Sequence, residues 1–263
     1  MEQHLMNTIT TVAGMKMRLF EENILKYGVR CLFAGIYLTI GTAFGLVAAQ
    51  GFVEFSPAIA RVIYAIFFTI GLIVIVFLNG ELATSNMMMM TISAHRKFFS
   101  YKKAAQLLLF CTLGNLIGAY AISFLLGQTT IFNAIDSNHL LYALADGKLA
   151  KSVGRLFIEA IIANIIVNIG IMGMLRTKEF IAKFIYLMGT ISIFVLLGYE
   201  HLIANFSMFG IVQFTNPGAL ESFTASTILI NWIIVLIGNY IGGGLIMGLT
   251  HSWLNQNNSQ YFD

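Results

Sequence analysis

A glutamate, a histidine and an asparagine stand close together at Glu200, His201 and Asn205, just past an apolar run from Ile181 to Leu197 that could cross most of a hydrocarbon core. A carboxylate at membrane depth costs about 2.5–3.5 kcal/mol on insertion scales, so such groups stay there when they are partnered or line an ion pathway. An imidazole, with an ordinary pKa of about 6.5, can donate a hydrogen bond or lend a proton in the physiological range. Gly198 invites a break in the helix, and non-helical backbone at this depth is tolerated only inside protein or along a wet cavity. The stretch Gly198-Tyr199-Glu200-His201-Leu202-Ile203-Ala204-Asn205 therefore predicts an interrupted helix lining a route across the bilayer. Its chemistry would be the replacement of an ion's lost water. Two other readings stand beside it: a core histidine satisfied by its neighbours, and an intramembrane enzyme using His201 and Glu200 as a general base pair or metal site. No nucleophile–base–orienter set accompanies the second.

The pattern occurs twice. Glu81 and Asn86 have the spacing of Glu200 and Asn205, 119 residues earlier, and follow an apolar run of their own, Ile59–Leu78. Gly114-Asn115-Leu116-Ile117-Gly118 matches Gly238-Asn239-Tyr240-Ile241-Gly242, 124 residues later. Three apolar runs separate corresponding points, so the second half enters the membrane from the opposite side. Interrupted segments in matching positions of such inverted halves point to a binding or permeation site. Adjacent helical positions differ by about 100°, so Glu200, next to His201, is assigned with Glu81 to satisfying loop amides, and Asn86 and Asn205 to stabilising the same loops. Asn115 and Asn239 are read as hydrogen bonds across helix contacts, and Gly242-Gly243-Gly244 as tight helix packing.

The elements that must carry these residues follow from composition. Of 263 residues, 58% are hydrophobic and only 10% charged, against about 25% charged in soluble domains; mean hydropathy is +0.81. The chain is an all-α polytopic membrane protein, and a nucleic-acid partner is excluded. Six runs have spanning length: Cys31–Gln50, Ile59–Leu78, Ala104–Leu126, Phe157–Leu175, Ile181–Leu197 and Thr227–Leu249. Residues 1–30 lack the apolar core and cleavage site of a signal peptide, and read as a cytoplasmic amphipathic helix lying on the membrane or against a neighbouring subunit. Residues 31–254 form the transmembrane domain, with repeat halves of about 31–127 and 150–254, and 255–263 a cytoplasmic tail. With both termini cytoplasmic, eleven of the fifteen Lys and Arg residues lie inside; Arg61, Lys148, Lys151 and Arg155 lie outside. Lys148, Lys151 and Arg155 would form a positive mouth that concentrates anions. Cys31 and Cys111 are read as core residues, Met87-Met88-Met89-Met90 as helix packing instead of a copper site, and no cofactor or metal is expected.

These residues resemble the formate/nitrite transporter family of aquaporin-like anion channels. The resemblance rests on Asn79-Gly80-Glu81-Leu82-Ala83-Thr84-Ser85-Asn86, on Ala163-Asn164, on Phe194 before the Gly198–Asn205 stretch, and on Gly238-Asn239-Tyr240-Ile241-Gly242-Gly243. It implies a homopentamer in a prokaryotic cytoplasmic (inner) membrane, with six transmembrane helices per protomer, the second and fifth broken, and a pore in each. It further implies that His201 is the pore histidine, Lys148 the vestibule lysine, Asn164 the pore asparagine and Thr84 the threonine of the first break. The apolar constrictions fall on Phe67 and Phe194 on the outer side and on Leu82, Ala83 and Val167 on the inner side. Many formate-type members carry phenylalanine where this chain has Ala83, which puts hydrosulfide first among the small monovalent anions, with formate and nitrite close behind. The alternatives are a proton-coupled short-monocarboxylate transporter and an aquaporin-type facilitator of neutral solutes.

Overall fold

A computed structural model describes residues 2–255, with side chains from residue 5 onward. Residues 256–263 of the expected tail lie outside the described residues. Every described element is helical.

The first helix, α1 (Glu2–Glu22), buries Leu5, Met6, Ile9, Ala13 and Met17, a spacing of three and four that makes one apolar stripe. That stripe docks against α2 (Ile24–Gln50) and, after α3 (Pro57–Phe77), against α4 (Ala83–His95). The expected surface or intersubunit helix is thus part of its own bundle. It also ends sooner than residue 30: the Asn23 side chain accepts the Lys26 backbone N–H at 3.0 Å and starts α2 there, so residues 24–30 belong to the first long helix.

The order continues with α5 (Tyr101–Gly127), the short α6 (Thr130–Asn133) and α7 (Leu140–Leu149), then α8 (Val153–Arg176), α9 (Phe180–Leu196), α10 (Leu202–Phe214) and α11 (Ala225–Asn239). The last helix runs on through a π-helical stretch, Tyr240–Leu249, into α12 (Thr250–Leu254). Five helices are long and apolar enough to span a bilayer: α2, α3, α5, α8 and the continuous Ala225–Leu254. With α9 and α10 as shorter apolar helices, this is an integral membrane protein.

Two backbone breaks organise the bundle. Between α3 and α4, Asn79 adopts φ 53°; between α9 and α10, Gly198 adopts φ 70°. These are equivalent positions, 119 residues apart, and Gly and Asn are the residues that enter the left-handed region at least cost. Asparagines hold both breaks in the same way. Asn115 accepts the Ala83 N–H at 2.9 Å and donates to the Glu81 and Cys31 carbonyls at 2.8 Å each. Asn239 accepts the Leu202 N–H at 2.9 Å and donates to the Glu200 and Ala160 carbonyls at 2.9 and 2.7 Å. The Ala83 and Leu202 N–H groups at the breaks are therefore met by these asparagines and others by backbone carbonyls, as Glu81 N–H is by Arg30, and none by the Glu81 and Glu200 carboxylates as the sequence suggested.

The short helices cross over: α4 packs chiefly on the π-helical stretch and α10 chiefly on α5. Both are buried on every face. Close approach depends on missing side chains, because a Cβ at Gly118 would strike the Leu32 carbonyl oxygen and one at Gly242 the Ile161 carbonyl oxygen. Gly242→Val is accordingly expected to cost at least about 1–3 kcal/mol through overpacking, seen as a lower thermal midpoint of the detergent-solubilised protein.

Candidate functional site

The extended backbone of His201 caps α10, and its Nδ1 accepts the Ala204 N–H at 3.2 Å. That bond leaves the ring proton on Nε2, which donates to Thr84 Oγ1 at 2.8 Å. Thr84 sits in the first turn of α4. The two breaks thus bring the N-terminal ends of α4 and α10 together, with their positive dipole ends on one spot. Both side chains are buried.

On one side of this pair lie aromatic rings. Phe194 is 5.6 Å from the His201 ring, and Phe68 meets Phe194 edge-on at 6.1 Å. Phe67 does not take part: it is 37% exposed and packs on Phe44 at 4.9 Å, whereas Phe68 is 1% exposed. One residue is a turn of about 100° on a helix, enough to send the sequence-assigned ring to the outside of α3. Beyond the rings opens a cavity of about 290 Å³ lined by Tyr64, Lys148, Lys151, Glu159 and Met208 as well as Phe68 and Phe194.

On the α1 side lies a second cavity of about 590 Å³, lined by Lys16, Arg30, Glu81, Leu82, Met89 and Lys183 among others. The two cavities share no lining residue. Their walls nevertheless correspond through the repeat, since Met89 matches Met208, Ser85 matches Ala204 and Leu82 matches His201 at the 119-residue offset. Leu82 lines the second cavity; Ala83 and Val167 have no exposed surface and line neither. Asn164 reaches the Thr84 carbonyl at 3.2 Å and the Asn239 carbonyl at 2.7 Å, tying α8 to both halves beside the pair.

Beside each cavity lies a lysine–glutamate–asparagine cluster whose lysines reach the cavity wall. Glu200 is fully buried and takes Lys151 at 2.6 Å, Lys148 at 3.4 Å and Asn205 Nδ2 at 2.7 Å. Lys151 also reaches Glu159 at 2.5 Å and the Gly198 carbonyl at 2.7 Å. On the other side Lys16 takes Glu81 Oε2 and Asn86 Oδ1, both at 2.8 Å, while Asn86 Nδ2 returns to Glu81 at 2.9 Å. Burial pushes the Lys148 ammonium below its ordinary pKa against the pull of Glu200. At Lys151 burial acts the same way, but Glu200 and Glu159 hold it above its ordinary value.

Sequence reasoning named Lys148 and Lys151 together in a positive mouth, and both line the smaller cavity, but it paired neither with Glu200, nor Lys16 with Glu81. The signal was present for both pairings, because a repeated buried glutamate requires a cation at each copy. Among the described residues no three His, Cys, Asp or Glu side chains converge as a metal site.

The sequence model described as "Formate/nitrite transporter" matches residues 3–253. The chain belongs to the formate/nitrite transporter family. The formate channel FocA of Escherichia coli (strain K12) is 30% identical over 248 residues, covering 86% of this chain and 85% of that protein. Among solved structures, an "FNT family ion channel" superimposes with a TM-score of 0.88 at 24% identity, covering 96% of this chain and 99% of the other. A "pentameric formate channel with formate bound" superimposes with a TM-score of 0.76 at 24% identity, over 86% and 95% of the two chains. At such identities the structures carry the fold, and it is the family's fold along nearly the whole chain.

Proposed function

We propose that the chain is a channel for small monovalent anions of weak acids, with one pore in each protomer of a homopentamer in a prokaryotic cytoplasmic membrane. In this reading there are six membrane crossings, the second built from α3 and α4 and the fifth from α9 and α10. Both termini face the cytoplasm, following the eleven-to-four distribution of basic residues. The Lys148 cavity is then external and the Lys16 cavity internal. The observation that carries the reading is the Thr84–His201 contact, made where two helix N-termini meet and flanked by two cavities with no residue in common.

An anion entering from outside meets Lys148 and Lys151, whose charge lowers the cost of approach. Between Phe68 and Phe194 it sheds water that these rings cannot replace. The His201 Nε2–H, the Thr84 hydroxyl and the two helix dipoles then supply donors in compensation. A proton that enters with the anion and joins it beside these donors lets it pass Leu82 as its neutral acid, which releases the same proton on the far side.

Formate and nitrite are the first substrates to test, since formate is named in a relative and a structural neighbour and nitrite in the family description. Hydrosulfide follows them. Its priority rested on the small side chain of Ala83, which lines neither cavity. Purified protein in proteoliposomes is expected to carry each of these anions faster than empty vesicles; equal rates for all three sink the channel reading. Lys148→Glu is expected to lower anion influx about tenfold at low salt while leaving the flux of a neutral solute such as urea near its parent level. Equal loss of both fluxes would instead favour a neutral-solute pathway.

A further inference from the structure

Three cations and one carboxylate line the cavity beside α1: Lys16, Arg30, Lys183 and Glu81. Lys16 is spent, held between Glu81 and Asn86 at 2.8 Å each. The Arg30 guanidinium and the Lys183 ammonium make no hydrogen bond or ion pair with the described residues, although the Arg30 carbonyl accepts the Glu81 N–H at 3.1 Å. They come from different helices, α2 and α9, 153 positions apart in the sequence, yet face one space. The opposite cavity is differently balanced: Lys148 and Lys151 are set against Glu200 and Glu159, and only Arg61 is left over. The α1-side cavity is also about twice as large, about 590 against 290 Å³.

We infer that this cavity binds a free tetrahedral dianion, of the sulfate or hydrogen phosphate class, between Arg30 and Lys183. Two uncompensated positive charges match two negative ones. The guanidinium fork meets a pair of oxygens in a plane, and the ammonium supplies a compact third point. Leu72, Ile75 and Met174 line the same cavity, and their apolar surface strengthens the attraction relative to open water.

A dianion held there does not go further. The cost of stripping an ion of water grows with the square of its charge, so a dianion pays about four times what a monoanion pays at the apolar Leu82. Bound at the mouth it obstructs the smaller ion. This consequence rests on the pore reading given above, whereas the binding itself does not.

Calorimetry with sodium sulfate on the full chain, purified in lipid-free detergent at low ionic strength, is expected to give one site per protomer. Arg30→Gln and Lys183→Gln should each weaken it about tenfold, and Arg30→Lys by less. Lys178→Gln removes a cation from the same end of the bundle but outside the cavity, and should leave the affinity within about twofold. Absence of heat, or affinity indifferent to both cavity substitutions in protein that remains monodisperse, overturns the assignment. Repeating the titration in bilayer discs of phosphatidylglycerol and of phosphatidylcholine separates free anions from lipid. Binding retained in both supports the inference, and binding abolished only by the anionic lipid gives the cations to headgroups and overturns it. In vesicles of known orientation, sulfate on the α1 side should slow formate flux, and should no longer do so in the doubly substituted protein. Should no anion flux exist at all, the channel reading fails while calorimetry still decides the site.

Discussion

Replacing His201 by leucine, the residue at its repeat counterpart Leu82, is expected to lower monovalent-anion flux about 10- to 100-fold without unfolding the protein. A hydrogen bond to a charged partner is worth about 1.5–3 kcal/mol, and each 1.36 kcal/mol in a barrier is about tenfold in rate. In the channel reading the imidazole would give that bond through Nε2–H, now given to Thr84, beside the Phe68 and Phe194 rings. Leucine fills the space and donates nothing. Thr84→Val should cost less, because the ring keeps its own donor. The double variant should fall short of the sum of the two effects, as expected for groups in direct contact. The remaining flux of His201→Leu should follow the concentration of neutral acid in solution, since the donor that holds the anion while it takes up its proton is gone. Isotope uptake into proteoliposomes at two pH values reads all three variants. Flux within about twofold of the parent at both, from monodisperse protein, would remove His201 from the mechanism.

Lys151→Met is expected to destabilise the protein by about 3 kcal/mol, while Lys148→Met costs about 1 kcal/mol or less. Removing one partner of a buried ion pair leaves an uncompensated charge, at about 3–5 kcal/mol. Glu200 has no exposed surface and its short contacts are to Lys151 and Asn205. Lys148 stands at 3.4 Å from the other carboxylate oxygen, Oε2, so the loss of Lys151 leaves Oε1 unmet. The lower end of the range applies because the Lys151 side chain is partly open to the cavity. Lys151 also pins the Gly198 carbonyl at the break, so its loss should loosen the turn that presents His201. Thermal unfolding of the two variants in the same detergent compares them directly. Equal shifts would mean that the two lysines share Glu200 evenly, against the geometry.

The second break illustrates how much could be read in advance. A polar cluster following an apolar run is visible in the residues alone, because charge inside a membrane is rare and expensive. The matching offset between Glu81–Asn86 and Glu200–Asn205 marks the first break as its repeat. The partners of those glutamates were harder to see. Lys16 lies 65 positions from Glu81 and Lys151 49 positions from Glu200, and Lys148, Lys151 and Arg155 carry the same charge within eight residues. Which of them meets the carboxylate depends on where the short α7 ends and α8 begins. Asn115 and Asn239 were read as ordinary helix contacts, and their hold on the broken backbone emerges only when α5 and α11 lie beside the breaks.

Hydropathy, charge placement and the doubled spacing, all of them local properties, were enough to determine a helical membrane chain with two related halves and His201 as a candidate, while Thr84 entered only through the family resemblance. Tertiary structure alone decided that Phe68 and not Phe67 faces Phe194, that Lys151 is the tighter partner of Glu200, that α1 docks on its own bundle, and that Arg30 and Lys183 share a cavity. Each of these turns on the rotation of a helix about its axis or on a contact between distant segments, and a shift of one residue, about 100° on a helix, moves a side chain from the interior to the lipid.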